Sequence, residues 1–298
     1  MSSAEQQVLI FVNPMAGRGH AGALAEQAAA AVRRAGFLPN VFTDRADSID
    51  LSDVDPTRLR AAVVIGGDGT LRAVVKRMLP WERIPAIVLL PLGTANLMAM
   101  HLGIERRPDS ADTLHHLLHQ GQSRSIDLAA ANGEPFLLMA GAGLDAAVVH
   151  TLAAARRGPI RKSSYFLPTV RTVARFRYPP VTVDVDGRRI ATRIPASVFV
   201  ANVREYGTGV AWCPGARSDD GLLDVSIVPG HSLYASTMVF LHAAVGELAG
   251  VDGAIQARGR EIFIDAPRPL EVQVDGDACG FTPLHIRLLG RQLTFIVA

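Results

Sequence analysis

The chain has 298 residues, 49% of them hydrophobic and 19% charged, with a formal net charge of +2. That length suits two ordinary domains, and the composition suits a globular protein with sizeable cores rather than a disordered one. A nearly neutral chain carries no electrostatic footprint for nucleic acid. Its lysines are Lys76 and Lys162 alone, and neither follows a glycine before Ser or Thr, so a Walker A loop is excluded. Cys213 and Cys279 are too few for a metal cluster or disulfide scaffold; they could pair, but free thiols in a reducing cytosol are expected. Polar Met1–Gln7 does not read as a signal peptide. The most apolar long stretch, Ile84–Met100, is interrupted by Pro85, Pro91, Thr94 and Asn96, so the expectation is a soluble or peripheral cytoplasmic protein.

Val8–Val12 predicts a buried strand, Asn13–Gly19 a loop, and the alanine-rich stretch to about Arg34 an amphipathic helix ended by Gly36. Pro39–Thr43 predicts the next strand. Gly17, Gly19 and Gly22 fit G-x-G-x-x-G, with Asp44 roughly where a ribose-binding acid would stand. A dinucleotide turn must follow its strand immediately, and here four residues intervene, which disfavours a dehydrogenase. A phosphate-facing loop using Asn13, Gly17 and backbone N–H groups fits the spacing better. Ala61–Ile65 is a β-branched run that reads as a strand buried on both faces. It breaks at Gly66-Gly67-Asp68-Gly69-Thr70, and helical character resumes over Leu71–Leu79. Strand, glycine turn and helix start together make a phosphate site, because the backbone can come close and the open N–H groups attract anions. Asp68 alone would repel phosphate; a divalent cation between them removes the conflict. Alternatively Asp68 or Thr70 only caps the helix. Ile84–Leu90 is a further strand, ending in Pro91-Leu92-Gly93-Thr94-Ala95-Asn96. Alternating strands and helices predict a parallel, Rossmann-like α/β sheet whose loops gather Asn13, Asp68, Thr70, Thr94 and Asn96 on one rim.

A helix from about Ala95 past His101 covers the sheet, and Ser110–His119 is another, with Ser110 as N-cap and Gly121 as stop. His115, His116 and His119 lack a carboxylate or cysteine to complete a metal set, so a polar helix face is the expectation. From Ile126 short alternating runs predict a β-rich domain resembling a sandwich: Phe136–Ala140, Val181–Val185, Ser197–Ala201, Leu223–Val228, Glu271–Val274, Leu284–Leu289 and Gln292–Val297. Two helical insertions interrupt it, Ala142–Arg177, rich in arginine and aromatic residues, and apolar Leu233–Ala249. The first suits either an anionic membrane surface or packing on the β domain. The expected domains are 1–127, completed by the last strand 292–298, and 128–291. Closely spaced oxygens in Ser218–Asp224 suit Mg²⁺ or Ca²⁺, and an Asp-Gly hairpin turn accounts for them equally.

Taken together, Asn13-Pro14-x-x-Gly17-x-Gly19, Gly66-Gly-Asp-Gly-Thr70, Pro91-Leu-Gly-Thr-Ala-Asn96, Gly141-x-Gly-x-Asp145-Ala146, Pro214-x-Ala-x-x-Asp-Asp-Gly-x-Leu-Asp224 and Asp275-Gly276-Asp277 resemble the bacterial diacylglycerol kinase and sphingosine kinase lipid kinases. These are distant relatives of NAD kinases, whose downstream Asn-Glu pair is missing here. The resemblance covers nearly the whole chain, in order, and implies the NAD kinase/diacylglycerol kinase-like fold. It further implies ATP across Gly66, Gly67, Asp68, Gly69, Thr70, Leu71 and Arg72, with Asn13, Gly17, Gly19, Thr43, Gly93, Thr94 and Asn96 as further contacts. Asp68 would act through a catalytic Mg²⁺, and Asp277 would be the general base. A structural cation, Mg²⁺ or Ca²⁺, would sit on Asp220 and main-chain oxygens of Arg217 and Leu222. Two positions depart from the family pattern: Leu97 replaces a frequent aspartate, and Asp277 a frequent glutamate. The implied acceptor is a lipid at the membrane surface, entering between the domains; its identity and the oligomeric state are not read from sequence. Competing expectations are a non-catalytic nucleotide- or lipid-binding regulator and a soluble, NAD-like small-molecule kinase.

Overall fold

The computed structural model describes residues 6–14, 21–93, 95–105, 113–154, 166–204, 211–230 and 252–298. The chain divides into two units, Met1–Ile126 with Gln292–Ala298, and Asp127–Arg291.

In the first unit, β1 (Gln7–Val12), β2 (Leu38–Phe42), β3 (Leu59–Gly66) and β4 (Ala86–Pro91) lie parallel in the order β2-β1-β3-β4. The end of the last strand, β15 (Leu284–Val297), runs parallel to β4, with Phe295 beside Ile87. β1 from Val8 and β3 from Ala61 are continuously apolar and buried because both faces are covered. Helix α1 (Ala21–Arg34) buries Ala21, Ala25, Ala28 and Val32, small enough for close approach to the sheet. Gly36, at φ +80°, ends it. α2 (Asp68–Met78) buries Leu71, Val74, Val75 and Met78, one face at helical spacing. Strand order reverses between β1 and β3, and the loops at their carboxyl ends flank the crevice where α/β sheets bind ligands.

α3 (Leu97–His101) and α4 (Leu114–Gln120) complete this unit. Gly121 caps α4 through its N–H to Leu117 O at 3.1 Å, whereas Ser110 lies outside the described residues. His119 Nε2 sits 3.0 Å from Ala35 O and its ring 5.4 Å from Phe37, so this histidine packs α4 onto the α1–β2 connection. Among the described residues, no three His, Cys, Asp or Glu side chains cluster to hold a metal.

The second unit is antiparallel, two sheets closing on one apolar core. β9 (Arg188–Ala201) serves both sheets. Its first half pairs with β8 (Pro180–Val185); its second half pairs with β10 (Leu223–Pro229) and β7 (Met139–Ala142). β8 continues to β12 (Glu261–Asp265) and the start of β15. β10 continues to β11 (Ile255–Gly259), and β7 to β13 (Glu271–Val274) and β14 (Asp277–Phe281). Strands β5 (Gln122–Ala131) and β6 (Glu134–Phe136) form a hairpin before β7. The runs Leu284–Leu289 and Gln292–Val297 belong to one strand rather than two. The first helical insertion contains α5 (Leu144–Ala154) and α6 (Phe166–Arg175), joined by Thr151 and Thr172 hydroxyls 3.0 Å apart. α5 packs on β13, where His150 Nε2 lies 2.8 Å from Val272 O. Residues 155–165 and the predicted helix Leu233–Ala249 lie outside the described residues. No described helix is long and apolar enough to cross a membrane.

Neither cysteine is in a disulfide. Cys213 is buried, and desolvation pushes its thiol well above the usual range, whereas Cys279 is partly exposed on β14. A thiol reagent is therefore expected to titrate Cys279 in the native protein and both cysteines after denaturation. Rapid reaction of Cys213 in the native protein would contradict that burial.

Candidate active site

β3 ends at Gly66 and α2 begins at Asp68, so Gly67 alone makes the turn and is the N-cap, without a side-chain cap. The first N–H groups of a helix have no intrahelical acceptor, and the macrodipole adds positive potential. A Cβ at Gly69 would meet nothing within 4 Å, so the space above the first turn is open. The turn thus offers N–H groups to an anion.

Asp68 turns away from its own helix. Its Oδ2 accepts from Leu97 N–H at 2.9 Å and its Oδ1 from Met98 N–H at 3.0 Å, so it caps α3. A cap on α2, one of the two sequence alternatives, is therefore corrected: the carboxylate fastens a neighbouring loop instead. That loop, Gly93–Asn96, is held by Asn96, whose left-handed backbone (φ +51°) lets Nδ2 donate to Gly93 O at 2.8 Å. Leu92 N–H donates to Gly66 O at 2.9 Å. The loop after β1 joins them, because Asn13 N–H donates to Ile65 O at 3.2 Å and Asn13 Nδ2 to Thr70 Oγ1 at 3.0 Å. Loops from three adjacent strands are thus stitched into one rim.

Gly67 and Gly93 are glycine because their backbones touch. A Cβ on Gly93 would lie 2.7 Å from Gly67 Cα and 2.6 Å from Asn96 Oδ1. Gly93→Ala is expected to cost about 1–3 kcal/mol through this overpacking. Urea unfolding reads the loss, and an unchanged midpoint would show that the two loops separate freely. Leu71 is buried and Arg72 half-buried on α2, while Thr43 is exposed just beyond β2. Gly17, Gly19 and Thr94 lie outside the described residues.

These residues fit a metal-bound nucleotide. Each Asp68 oxygen spends one acceptor direction on an N–H group and keeps another. Asn96 Oδ1 is buried in the same loop without a hydrogen-bond partner. Mg²⁺ commonly uses one or two carboxylates together with water and substrate phosphates, which matches a rim on which, among the described residues, Asp68 is the carboxylate.

In the second unit, Asp275 and Gly276 both have positive φ, +48° and +81°, between the paired residues Val274 and Asp277. Two such residues define a tight hairpin turn of the primed kind. Asp275 accepts from Leu137, Leu138 and Met139 N–H at 2.9, 2.9 and 3.0 Å, and its own N–H donates to Met139 O at 2.8 Å. Gln273, fully buried, accepts Gly276 N–H at 2.9 Å. Asn202 reinforces this region, donating to Asp127 O and Leu137 O. The result is a rigid turn carrying Asp277 exposed at the start of β14.

The Ser218–Asp224 turn is arranged differently from the cation site expected at Arg217, Asp220 and Leu222. Asp220 Oδ2 accepts from Arg258 Nη2, and Oδ1 from Leu222 N–H at 3.1 Å. Arg258 Nε also lies 3.2 Å from Asp224 Oδ1, and Arg260 Nε donates to Gly221 O at 3.3 Å. The side chain of Arg217 pairs with Asp219 at 3.6 Å. Asp127, 5% exposed, accepts Gly221 N–H at 2.8 Å. Burial raises the Asp224 carboxyl above its ordinary range, partly opposed by Arg258. This donor set, already facing guanidinium groups, does not fit a divalent cation.

Residues 7–131 match the diacylglycerol kinase catalytic domain, and residues 139–297 the YegS C-terminal NAD kinase beta sandwich-like domain. A Pseudomonas aeruginosa protein named "Probable lipid kinase YegS-like" is 34% identical over 239 residues, covering 78% of this chain and 72% of that protein. The diacylglycerol kinase of Bacillus subtilis is 25% identical over 237 residues, covering 79% and 77%. A crystal structure of a diacylglycerol kinase from Bacillus anthracis is similar with a TM-score of 0.76 and 25% identity, over 99% of this chain and 97% of that one. The chain belongs to the diacylglycerol kinase family of lipid kinases.

For a lipid kinase of this family, Leu97 now has a structural account. The residue is 8% exposed, inside the core, and its N–H is one of the two that donate to Asp68. A carboxylate there would be buried close to Asp68, which disfavours it by like-charge repulsion and desolvation. Asp127, Asn202, Gln273 and Arg258 in this kinase were not anticipated from sequence. Single polar residues within apolar runs signal a buried hydrogen-bond role, and Asn202 and Gln273 have that form.

Proposed function

We propose that this lipid kinase transfers the γ-phosphoryl group of ATP to a hydroxyl of a diacylglycerol-like lipid. The observation that carries the reading is the uncapped start of α2, tied by Asp68 to the Gly93–Asn96 loop. Such a rim offers fixed N–H dipoles to phosphate oxygens without reorganisation, the main requirement of phosphoryl transfer. Gly66, Gly67, Gly69 and Gly93 let the triphosphate approach the backbone, and Thr70, Leu71 and Arg72 follow along α2. Asn13, Gly17, Gly19, Thr43, Thr94 and Asn96 complete the nucleotide contacts of this reading. Mg²⁺, when bound with the nucleotide beside Asp68, neutralises charge on the phosphates.

Asp277 is assigned the proton. The lipid hydroxyl oxygen forms a bond to the γ-phosphorus as the bond to the ADP oxygen breaks, and the hydroxyl proton passes to the Asp277 carboxylate. ADP leaves with the bonding electrons, and the product is a phosphorylated lipid. The acceptor class is supported by the name of the Bacillus subtilis relative. Peripheral contact with an anionic bilayer belongs to the same reading, with the exposed Arg171, Arg175 and Arg177 facing headgroups.

The test is incubation of the purified protein with terminally labelled ATP, Mg²⁺ and mixed lipid extract, followed by mass spectrometry. Label in a lipid phosphate is expected, and diacylglycerol should compete with it. Nucleotide binding without transfer would overturn the reading in favour of a regulator, and label in NAD or another soluble acceptor in favour of a small-molecule kinase.

A further inference from the structure

We infer that the Ser218–Asp224 turn of this chain is held by a built-in guanidinium, Arg258, in place of a divalent cation. The inference rests on the second unit alone and does not depend on the proposed kinase reaction.

The turn brings Asp220 and Asp224 together, their side chains only 19% and 13% exposed. Two carboxylates withdrawn from water repel one another, and something positive must lie between them. The sheet supplies it through register. Asp224 on β10 stands directly opposite Arg258 on β11, so the guanidinium begins beside one carboxylate. Its planar fork then reaches the second: Nε faces Asp224 while Nη2 donates to Asp220. Leu222 N–H also donates to Asp220 Oδ1, and Arg260 Nε reaches the Gly221 carbonyl. A cation on Asp220 would have to displace a guanidinium of fixed charge and bring its own charge beside it. The two carboxylates in turn hold the Arg258 guanidinium above its ordinary pKa, the hydrogen bond it donates to Asp220 contributing most. Asp127 anchors the opposite side of the turn, its N–H donating to Ser218 O at 2.6 Å and its carboxylate accepting Gly221 N–H.

The experiment is thermal unfolding and calorimetric titration of the nucleotide-free protein, in EDTA and in millimolar MgCl₂ or CaCl₂. Wild-type protein is expected to melt at the same temperature in all three and to show no saturable heat with Ca²⁺. Arg258→Met keeps the length of the side chain but leaves Asp220 and Asp224 facing each other uncompensated. That variant is expected to melt lower in EDTA and to bind Ca²⁺. Metal at about 100 times its Kd should then raise Tm by roughly 5–10 °C. Asp220→Asn added to Arg258→Met should abolish the rescue. Should Arg258→Met fail to fold in EDTA, Arg258→Lys, with a single point charge, is expected to show a weaker form of the same metal dependence. A wild-type protein destabilised by EDTA or titrating one equivalent of Ca²⁺ would overturn the inference, as would an Arg258→Met protein indifferent to divalent ions.

Discussion

Replacing Asp68 by Asn is expected to lower phosphoryl transfer by more than about 100-fold, because small displacements of positioning groups carry such losses. The isosteric amide retains one oxygen for one of the Leu97 and Met98 N–H groups and presents an NH₂ donor to the other. A charge-assisted hydrogen bond is lost, at about 1.5–3 kcal/mol, and a donor is left facing a donor. The Gly93–Asn96 loop then loosens from the Gly66–Thr70 turn. Hydrogen exchange separates this positioning role from action on the nucleotide alone. Faster exchange at Leu97 and Met98, with little change at the buried amides of β1, identifies the clamp. Unaltered exchange with lost activity would confine Asp68 to the nucleotide, and unaltered turnover would remove it from the mechanism.

The clamp was not legible from sequence because it joins residues 68 and 97–98, and nothing local in either segment specifies the other. What is legible is whatever one segment determines alone. Val8–Val12 of β1 and Ala61–Ile65 of β3 are continuous apolar runs, and a strand buried on both faces has that form whatever lies beside it. The glycine turn between β3 and α2 is equally local: a helix start that must meet another backbone excludes side chains. β12 was missed although Glu261–Asp265 alternates cleanly, with Ile262 and Ile264 fully buried. It is only five residues long, and a polar, charged stretch surrounds it. β11 and β14 are weaker still in sequence, since neither shows a clean apolar alternation and both depend on a partner strand for their form.

The Ser218–Asp224 turn shows the same limit from the chemical side. Two aspartates around a glycine read as hard oxygen ligands, and an isolated stretch offers no hint of their counter-charge. Arg258 lies 38 residues from Asp220 in the chain and is placed by strand pairing. A long-range ion pair of this kind replaces a ligand set without altering the motif that suggested it.

Asp277 and Asp275 should respond to the same change, aspartate to asparagine, in opposite ways. Asp277 is exposed, so Asp277→Asn is expected to alter stability by no more than about 0.5 kcal/mol. Turnover should nevertheless fall by roughly 10²–10⁴-fold as the proton acceptor is lost. Affinity for ATP should persist, because that side chain belongs to the acceptor step. Asp275 accepts three backbone N–H groups through its carboxylate, and an asparagine can serve only part of that set. Asp275→Asn should therefore cost about 2–4 kcal/mol in urea unfolding, with activity falling only as the turn bearing Asp277 loses its fixed position. Asp277→Glu adds one methylene to the reach of the base and is expected to keep turnover within about tenfold of wild type, since the general base is retained. A stability loss in Asp277→Asn equal to that of Asp275→Asn would reassign Asp277 to holding the turn, and collapse of ATP affinity in the same variant would place it at the nucleotide.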